Sequence, residues 1–445
     1  MSDRGPWVGR RLHLIGIWGA GMSGYARAAV ALGATVSGSD QADGPVLAAL
    51  REVGVDARAG HAAGNVPAGD DVEVVYSSAI PTANPERAAA RARGLKELPR
   101  AALLAELSAL KRTIAVAGAH GKTTTASMAA HVLLRAGVEP AYLIGGALRT
   151  TGRNADWGEG EWLVVEADES DRSMLSLDVD VAVVTNVELD HHATYGSLVE
   201  VRDVFRAFLA DAPEAVLWQR RDVIALRGDR PYVGFDVPEP VLTAGGSTFD
   251  WRGIEVRLGV PGAHNARNAA AALEACRLAG LAPEAAVEAL AGFAGAGRRF
   301  ETLGTTAAGA RVIDDYAHHP TEVAATIAAA RTLGARRVVA VFQPHLYSRT
   351  KSLAREFGAA LATADLPAVL DVYPARERAE DFPGVSGLLV AEATADAAGG
   401  RPVLWLPGFT DAEHVLRQRL REGDACLVMG AGNVDELGRR LVKQD

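Results

Sequence analysis

The apolar run Ile114-Ala115-Val116-Ala117 passes directly into Gly118-Ala119-His120-Gly121-Lys122-Thr123-Thr124-Thr125, and then into an alanine-rich stretch. A strand that ends in a glycine turn and reopens as a helix belongs to an α/β fold built on parallel strands. The same order recurs from end to end of the 445 residues. Residues 11–17 (RLHLIGI) read as a buried strand leading into a glycine loop, a helix-like stretch follows at 22–32, and a strand at 34–38 precedes Asp40. The pattern resets near 108–112. EWLVVEADES (161–170) and VAVVTNVELDHH (181–192) each end an apolar run in acidic or histidine residues. RVIDDYAHHP, RRVVAVFQPHLYSRT and ACLVMGAGN (425–433) repeat that ending in the last third. In open α/β sheets ligands bind at the carboxyl ends of strands, so these endings locate the chemistry. Residues 295–304 (GAGRRFETLG) read as a linker, and the length suggests about three domains.

Two glycine loops carry the strongest signals. Gly118 to Thr125 has the character of a phosphate loop, shortened because Val116 stands where the first glycine of G-x-x-x-x-G-K-T would be. Its backbone N–H groups would cradle phosphate, Lys122 would reach the terminal phosphates, and the Thr123 hydroxyl is placed for Mg²⁺. Gly19-Ala20-Gly21-Met22-Ser23-Gly24 fits G-x-G-x-x-G, and Asp40 follows at the end of the next strand. That pattern by itself means a nucleotide diphosphate at a helix N-terminus. A nicotinamide dehydrogenase would use the first loop but has no use for the second.

Phosphoryl transfer also needs oxygen ligands for a metal. Glu166, Asp168, Glu169 and Asp171 end one predicted strand; Glu188, Asp190, His191 and His192 end another. Zinc is disfavoured, because adjacent histidines seldom share one ion and no thiolate is near. Cys276 and Cys426 are the only cysteines, which excludes a disulfide framework. The formal net charge of −9 argues against nonspecific nucleic-acid binding and against an anionic membrane surface. The opening MSDRGPWVGRR lacks the apolar core of a signal peptide, and no apolar run is long enough to span a bilayer. A cytoplasmic protein is expected.

Together the motifs resemble the Mur ligase family. HLIGIWGAGMSG (13–24), VSGSD, SSAI (77–80), GAHGKTTT, EADESDRS, TNVELDHH, GAHNARN (262–268), GRRFE (297–301), DDYAHHPTE, FQPHLYSRT, VYPARE (372–377) and VMGAGN carry the resemblance over nearly the whole chain. It implies three α/β domains: a Rossmann-like one at 1–108 for a UDP-sugar, a central P-loop ATPase-like one at 109–298, and a Rossmann-like one at 299–445 for an amino acid. The opening glycine loop, EADESD and DDYxHHPTE together point, within the family, to ATP-dependent joining of L-alanine to UDP-N-acetylmuramate. The alternative is addition of a recycled murein tripeptide to the same UDP-sugar. A catalytically silent UDP-sugar-binding regulator would lack Lys122, Glu166 or His191, and all three are present.

The resemblance also implies roles residue by residue. Gly19, Gly21, Met22, Ser23, Asp40, His61, Ser78 and His345 fall in the substrate set. Gly118, His120, Gly121, Lys122, Thr123, Thr124, Asn265, Asn268, Arg298, Arg299 and Asp315 fall in the nucleotide set, the two asparagines on the adenine side and Arg298 or Arg299 reaching toward the phosphates. Thr123, Glu166 and His191 would hold Mg²⁺. Lys122, Tyr316, His318 and Arg349 would act on the phosphoryl group and the incoming alanine, with His318 as general base. Trp18, Ala119 and Leu346 depart from the family pattern; the last puts more of the alanine carboxylate on Arg349. Domain closure is expected to complete the site, the protein is expected to be a monomer or weak homodimer, and Lys122→Ala is expected to fold yet ligate at background.

Overall fold

The computed structural model describes residues 5–190 and 194–443. His191 and His192 lie outside the described residues. The described residues form three sheets of mainly parallel strands and one small antiparallel sheet. The chain divides into two compact units: residues 1–187, 201–235 and 271–289 form the first, and 188–200, 236–270 and 290–445 the second.

The first unit holds two sheets. One comprises β1 (Arg11–Ile15), β2 (Thr35–Asp40), β3 (Asp56–Ala59), β4 (Val72–Tyr76) and β5 (Glu97–Pro99), in the order β3-β2-β1-β4-β5. The other comprises β6 (Arg112–Ala117), β7 (Ala141–Leu148), β8 (Arg153–Asp156), β9 (Trp162–Glu166), β10 (Val181–Val184), β11 (Glu214–Trp218) and β12 (Val233–Phe235), in the order β12-β11-β10-β6-β9-β7-β8. All neighbours pair in parallel except the β7–β8 hairpin. The central strands read as continuous apolar runs because they are covered on both faces: Ile114 to Ala117 and Val181 to Val184 are buried without alternation.

The second unit holds β13 (Val241–Thr243), β14 (Gly246–Trp251) and β15 (Ile254–Leu258) as an antiparallel sheet. It also holds β16 (Glu301–Thr305), β17 (Arg311–Asp315), β18 (Arg337–Phe342), β19 (Leu366–Val369), β20 (Leu404–Trp405) and β21 (Asp424–Met429), ordered β16-β17-β21-β18-β19-β20. Two apolar clusters sandwich this sheet, one around Phe342 and Phe357, the other around Leu416 and Leu437. Burying each such side chain contributes about 1.5–3 kcal/mol.

Register levels the carboxyl ends that matter. Val116 on β6 lies opposite Glu166 on β9, and Ala117 lies opposite Val184 on β10. Ile15 lies opposite Ser39 and Tyr76, and Met429 lies opposite both Asp315 and Phe342. Each of these sheets therefore gathers its polar strand endings along one edge.

Candidate active site

In the first unit the phosphate-type loop follows β6. Gly118 adopts φ +143°, and a Cβ there would lie 2.0 Å from Thr185 Oγ1, so only glycine fits. Gly121, at φ +82°, caps the helix Lys122–Arg135. Asn186 clamps the loop from the end of β10: its Oδ1 accepts from His120 N at 2.9 Å, and its Nδ2 donates to His120 O at 2.8 Å. Thr185 and Asn186 were not singled out from sequence, although their place at a strand end beside the loop was visible.

Lys122 Nζ donates to Gly118 O at 2.6 Å and to both oxygens of Glu169 at 2.9 Å. Burial opposes the charge, but Glu169, Asp168 and Glu166 raise the Lys122 pKa, so the ammonium persists. Burial pushes Asp168 up, yet Lys122 and Arg100 hold it at about 2. Thr123 Oγ1 donates to Glu166 Oε2 at 3.0 Å, and the backbone N–H of Gly145 donates to the other carboxylate oxygen. A hydroxyl and a carboxylate at the mouth of a phosphate loop are hard oxygen donors, which fit Mg²⁺. Thr124 is half-buried next to them. His191, the third predicted metal ligand, lies outside the described residues.

The glycine loop after β1 opens a helix, as its pattern implies, but the turn lies just before the matched glycines. The tight turn is made by Gly16, at φ +81°. Gly19 caps the helix Ala20–Ala31 with φ −52°, and Gly21 and Gly24 lie inside that helix. Gly24 serves packing instead: a Cβ there would lie 3.1 Å from Ala155 Cβ on β8. Met22 and Ser23 are buried, so what this turn offers a ligand is the first-turn N–H groups of the helix. Asp40 accepts from Trp18 N at 2.9 Å and from Gln41 N at 2.8 Å, fastening the loop to β2. Ser78 is exposed at the end of β4.

His61 leads to a network that sequence did not reveal. Its Nδ1 lies 2.9 Å from Ser39 Oγ, which donates to Glu86 Oε2 at 2.6 Å. His13 Nε2 lies 2.9 Å from the same oxygen, while Ala62 N and Asn65 Nδ2 donate to Oε1. Glu86 is fully buried; burial pushes its carboxyl up, but His13, Ser39 and Asn65 hold it at about 2. His61 Nε2 is buried without a hydrogen-bond partner among the described residues.

In the second unit His318, Tyr316, His345 and Arg349 do come together. His318 stands edge-on to Tyr316 at 5.4 Å and to His345 at 6.2 Å, and His345 stacks on Tyr373 at 5.8 Å. His318 Nδ1 lies 2.8 Å from Tyr316 O, a pure acceptor, which places the proton on Nδ1 and leaves Nε2 with a lone pair. Burial lowers His318 to about 4, and burial with the charges of His318 and Arg349 lowers His345 to about 3. Arg349 is buried; its Nε and Nη2 grip Asp190 at 2.9 and 3.0 Å, and Nη1 lies 3.2 Å from His345 Nδ1. Leu346, at φ +68°, tucks its side chain inward, so this departure from the family pattern offers no charge to a carboxylate.

Arg298 is spent inside the unit. Its Nε donates to Asp314, and its terminal nitrogens donate to the carbonyls of Gly432 and Gly430, at 2.9–3.1 Å. Arg298 and Arg299 both lie over the Tyr316 ring, at 5.0 and 5.2 Å. Asp315 accepts from Phe300 N and Ala317 N, and burial raises it to about 6. Asn265 donates to Pro261 O at 2.7 Å, and Asn268 is 3.4 Å from Asn265 Oδ1, so both asparagines hold the start of the helix Ala263–Leu278.

Three family models match in sequence order: Mur ligase family, catalytic domain, at residues 11–112; Mur ligase middle domain at 116–230; and Mur ligase, glutamate ligase domain, at 298–432. A UDP-N-acetylmuramate--L-alanine ligase from Thermobifida fusca is 46% identical, with 97% of this chain and 96% of that protein covered. One from Mycobacterium sp. strain JLS is 43% identical over 97% and 94%. The crystal structure of UDP-N-acetylmuramate-alanine ligase from Thermotoga maritima superposes with a TM-score of 0.82 at 27% identity, covering 97% of this chain and 98% of that one. A murein peptide ligase from Psychrobacter arcticus shares the fold, with a TM-score of 0.72 at 23% identity over 97% and 98%. The chain belongs to the Mur ligase family.

Proposed function

We propose that the protein joins L-alanine to UDP-N-acetylmuramate at the expense of ATP, in building peptidoglycan precursors. The observation that carries this reading is the Lys122 loop with Thr123 and Glu166 at its mouth, in a chain 42–46% identical over nearly its full length to ligases of that name. The domain limits that fit it are 1–108, 109–298 and 299–445.

The lactyl carboxylate of the UDP-sugar attacks the γ-phosphate, giving an acyl phosphate and ADP. The amine of L-alanine then attacks the acyl carbon, and phosphate leaves. Lys122 offsets the charge that collects on the transferring phosphoryl group. Thr123 and Glu166 would hold Mg²⁺, which supplies further charge compensation there. His318 is placed to take the proton that the amine nitrogen of alanine sheds once it has attacked the acyl carbon: its Nδ1–H is committed to Tyr316 O, and its Nε2 is left to accept. Arg349 binds the alanine carboxylate only by exchanging Asp190 for it, because the planar fork is occupied by Asp190.

The test is phosphate release by the purified protein with ATP, Mg²⁺ and UDP-N-acetylmuramate, comparing single amino acids with the murein tripeptide. Release that needs the UDP-sugar and is fastest with L-alanine supports the reading. Release with tripeptide alone reassigns the protein to recycling, and no release with any nucleophile overturns the function.

A further inference from the structure

Arg100 opens the helix Arg100–Ser108, where the positive end of the helix field disfavours a cation. Its side chain is only 19% exposed, and its Nε and Nη2 donate to Asp171 Oδ2 at 2.8 Å and Asp168 Oδ2 at 2.9 Å. The third nitrogen faces elsewhere. Nη1 lies 3.4 Å from the point where a side chain at Gly21 would begin, and Tyr25 Oη lies 3.6 Å from that point. One guanidinium thus spans the glycine loop after β1 and the acidic loop after β9. Glu169, the residue after Asp168, is in turn held by Lys122 Nζ through both carboxylate oxygens at 2.9 Å. An adjacent contact ties the same elements, Asn154 Nδ2 on β8 donating to Ala20 O at 2.8 Å.

We propose that Arg100 Nη1 binds the diphosphate of the UDP-sugar, while Nε and Nη2, fixed on Asp171 and Asp168, register that substrate against the Lys122 loop. The identity of the ligand rests on the ligase reading above. The chemistry is that of an arginine with two carboxylate partners already in place: the fork is oriented before the ligand arrives, and Nη1 faces the first turn of the helix Ala20–Ala31 at Gly21. A diphosphate there would meet helix N–H groups on one side and a cation on the other. Lysine could not serve three partners, because its single ammonium lacks the planar fork.

The experiment is calorimetric binding of UDP-N-acetylmuramate and, separately, of Mg-ADP, to wild type, Arg100→Gln and Arg100→Lys, with thermal midpoints as a folding control. Wild-type protein that does not bind the UDP-sugar overturns the ligase reading and this inference with it. With wild type binding, the expected result is a loss of about tenfold or more for UDP-sugar in Arg100→Gln, a smaller loss in Arg100→Lys, and unchanged ADP affinity. UDP-sugar affinity within twofold of wild type in a folded variant overturns the inference alone. So does an equal fall in both affinities, which would make Arg100 a strut for the acidic loop. If Arg100→Gln does not fold, Arg100→Lys decides by the same two readouts.

Discussion

Removing Lys122 tests both the stability and the chemistry of the phosphate loop. From sequence, Lys122→Ala is expected to fold like wild type and lose only activity. The structure corrects the first half, because Lys122 is the bidentate partner of a Glu169 side chain that is 4% exposed, close to Asp168 and Glu166. Breaking a buried ion pair from one side costs about 3–5 kcal/mol. The Lys122 side chain retains 16% exposure, which argues for the lower end, about 3 kcal/mol. For a unit of this size that is a fall of roughly 6–12 °C in thermal midpoint. Adding Glu169→Gln removes the stranded charge while keeping the shape, so Lys122→Ala/Glu169→Gln should recover to within about 1 kcal/mol of wild type. Both variants should release phosphate at least a hundredfold more slowly than wild type, about 3 kcal/mol of barrier. Thermal unfolding and a phosphate-release assay on the same preparations measure both effects. A single variant as stable as wild type, or a double variant no more stable than the single one, would refute the electrostatic argument.

Further outcomes follow from other features. Gly118→Ala, which forces a Cβ to 2.0 Å from Thr185 at φ +143°, should cost about 1–3 kcal/mol and abolish nucleotide binding, read by thermal shift with Mg-ADP. His318→Gln should lower kcat by about 100-fold or more at saturating alanine; because His318 is lowered to about 4, the wild-type profile should show no loss from this group until pH falls toward 4. His345, held at about 3 against about 6.5 unfolded, contributes stability that is fully present above pH 6.5 and is lost as pH falls toward 3. His345→Gln should therefore flatten the fall of thermal midpoint between pH 6.5 and 4. Asp190→Asn should destabilise the second unit by about 3–5 kcal/mol through Arg349, visible as a lower unfolding midpoint.

What sequence made legible was local. The loop at 118–125 reads from consecutive residues, because the strand, the glycines, Lys122 and Thr123 are adjacent and each has one physical role. The acidic endings of β9 were legible for the same reason, since register then levels them with β6. The turn of the first glycine loop was not legible in detail: three glycines matched a spacing, but spacing does not say which residue needs positive φ, and Gly16, outside that spacing, takes that position. The engagement of Arg349 was hidden, since its partner Asp190 is 159 residues away. Arg298 was read as reaching for phosphate, yet its nitrogens satisfy Asp314 and two carbonyls after β21. Glu86 and Arg100 gave no signal, because a charged residue at an ordinary helix start looks like solvated surface until its neighbours are known; His13 gave none because a lone histidine inside the buried strand β1 has no visible partner in sequence.

The central claim is that the carboxylate of the UDP-sugar is activated by phosphorylation before alanine attacks. An oxygen of that carboxylate bridges carbon and phosphorus in the acyl phosphate and leaves with phosphorus when the amine displaces it. UDP-N-acetylmuramate labelled with ¹⁸O in the lactyl carboxylate, incubated with ATP, Mg²⁺ and L-alanine, should therefore yield inorganic phosphate carrying one ¹⁸O for each alanylated product. Alanylated product formed with unlabelled phosphate would contradict the mechanism, and the absence of alanylated product would contradict the function.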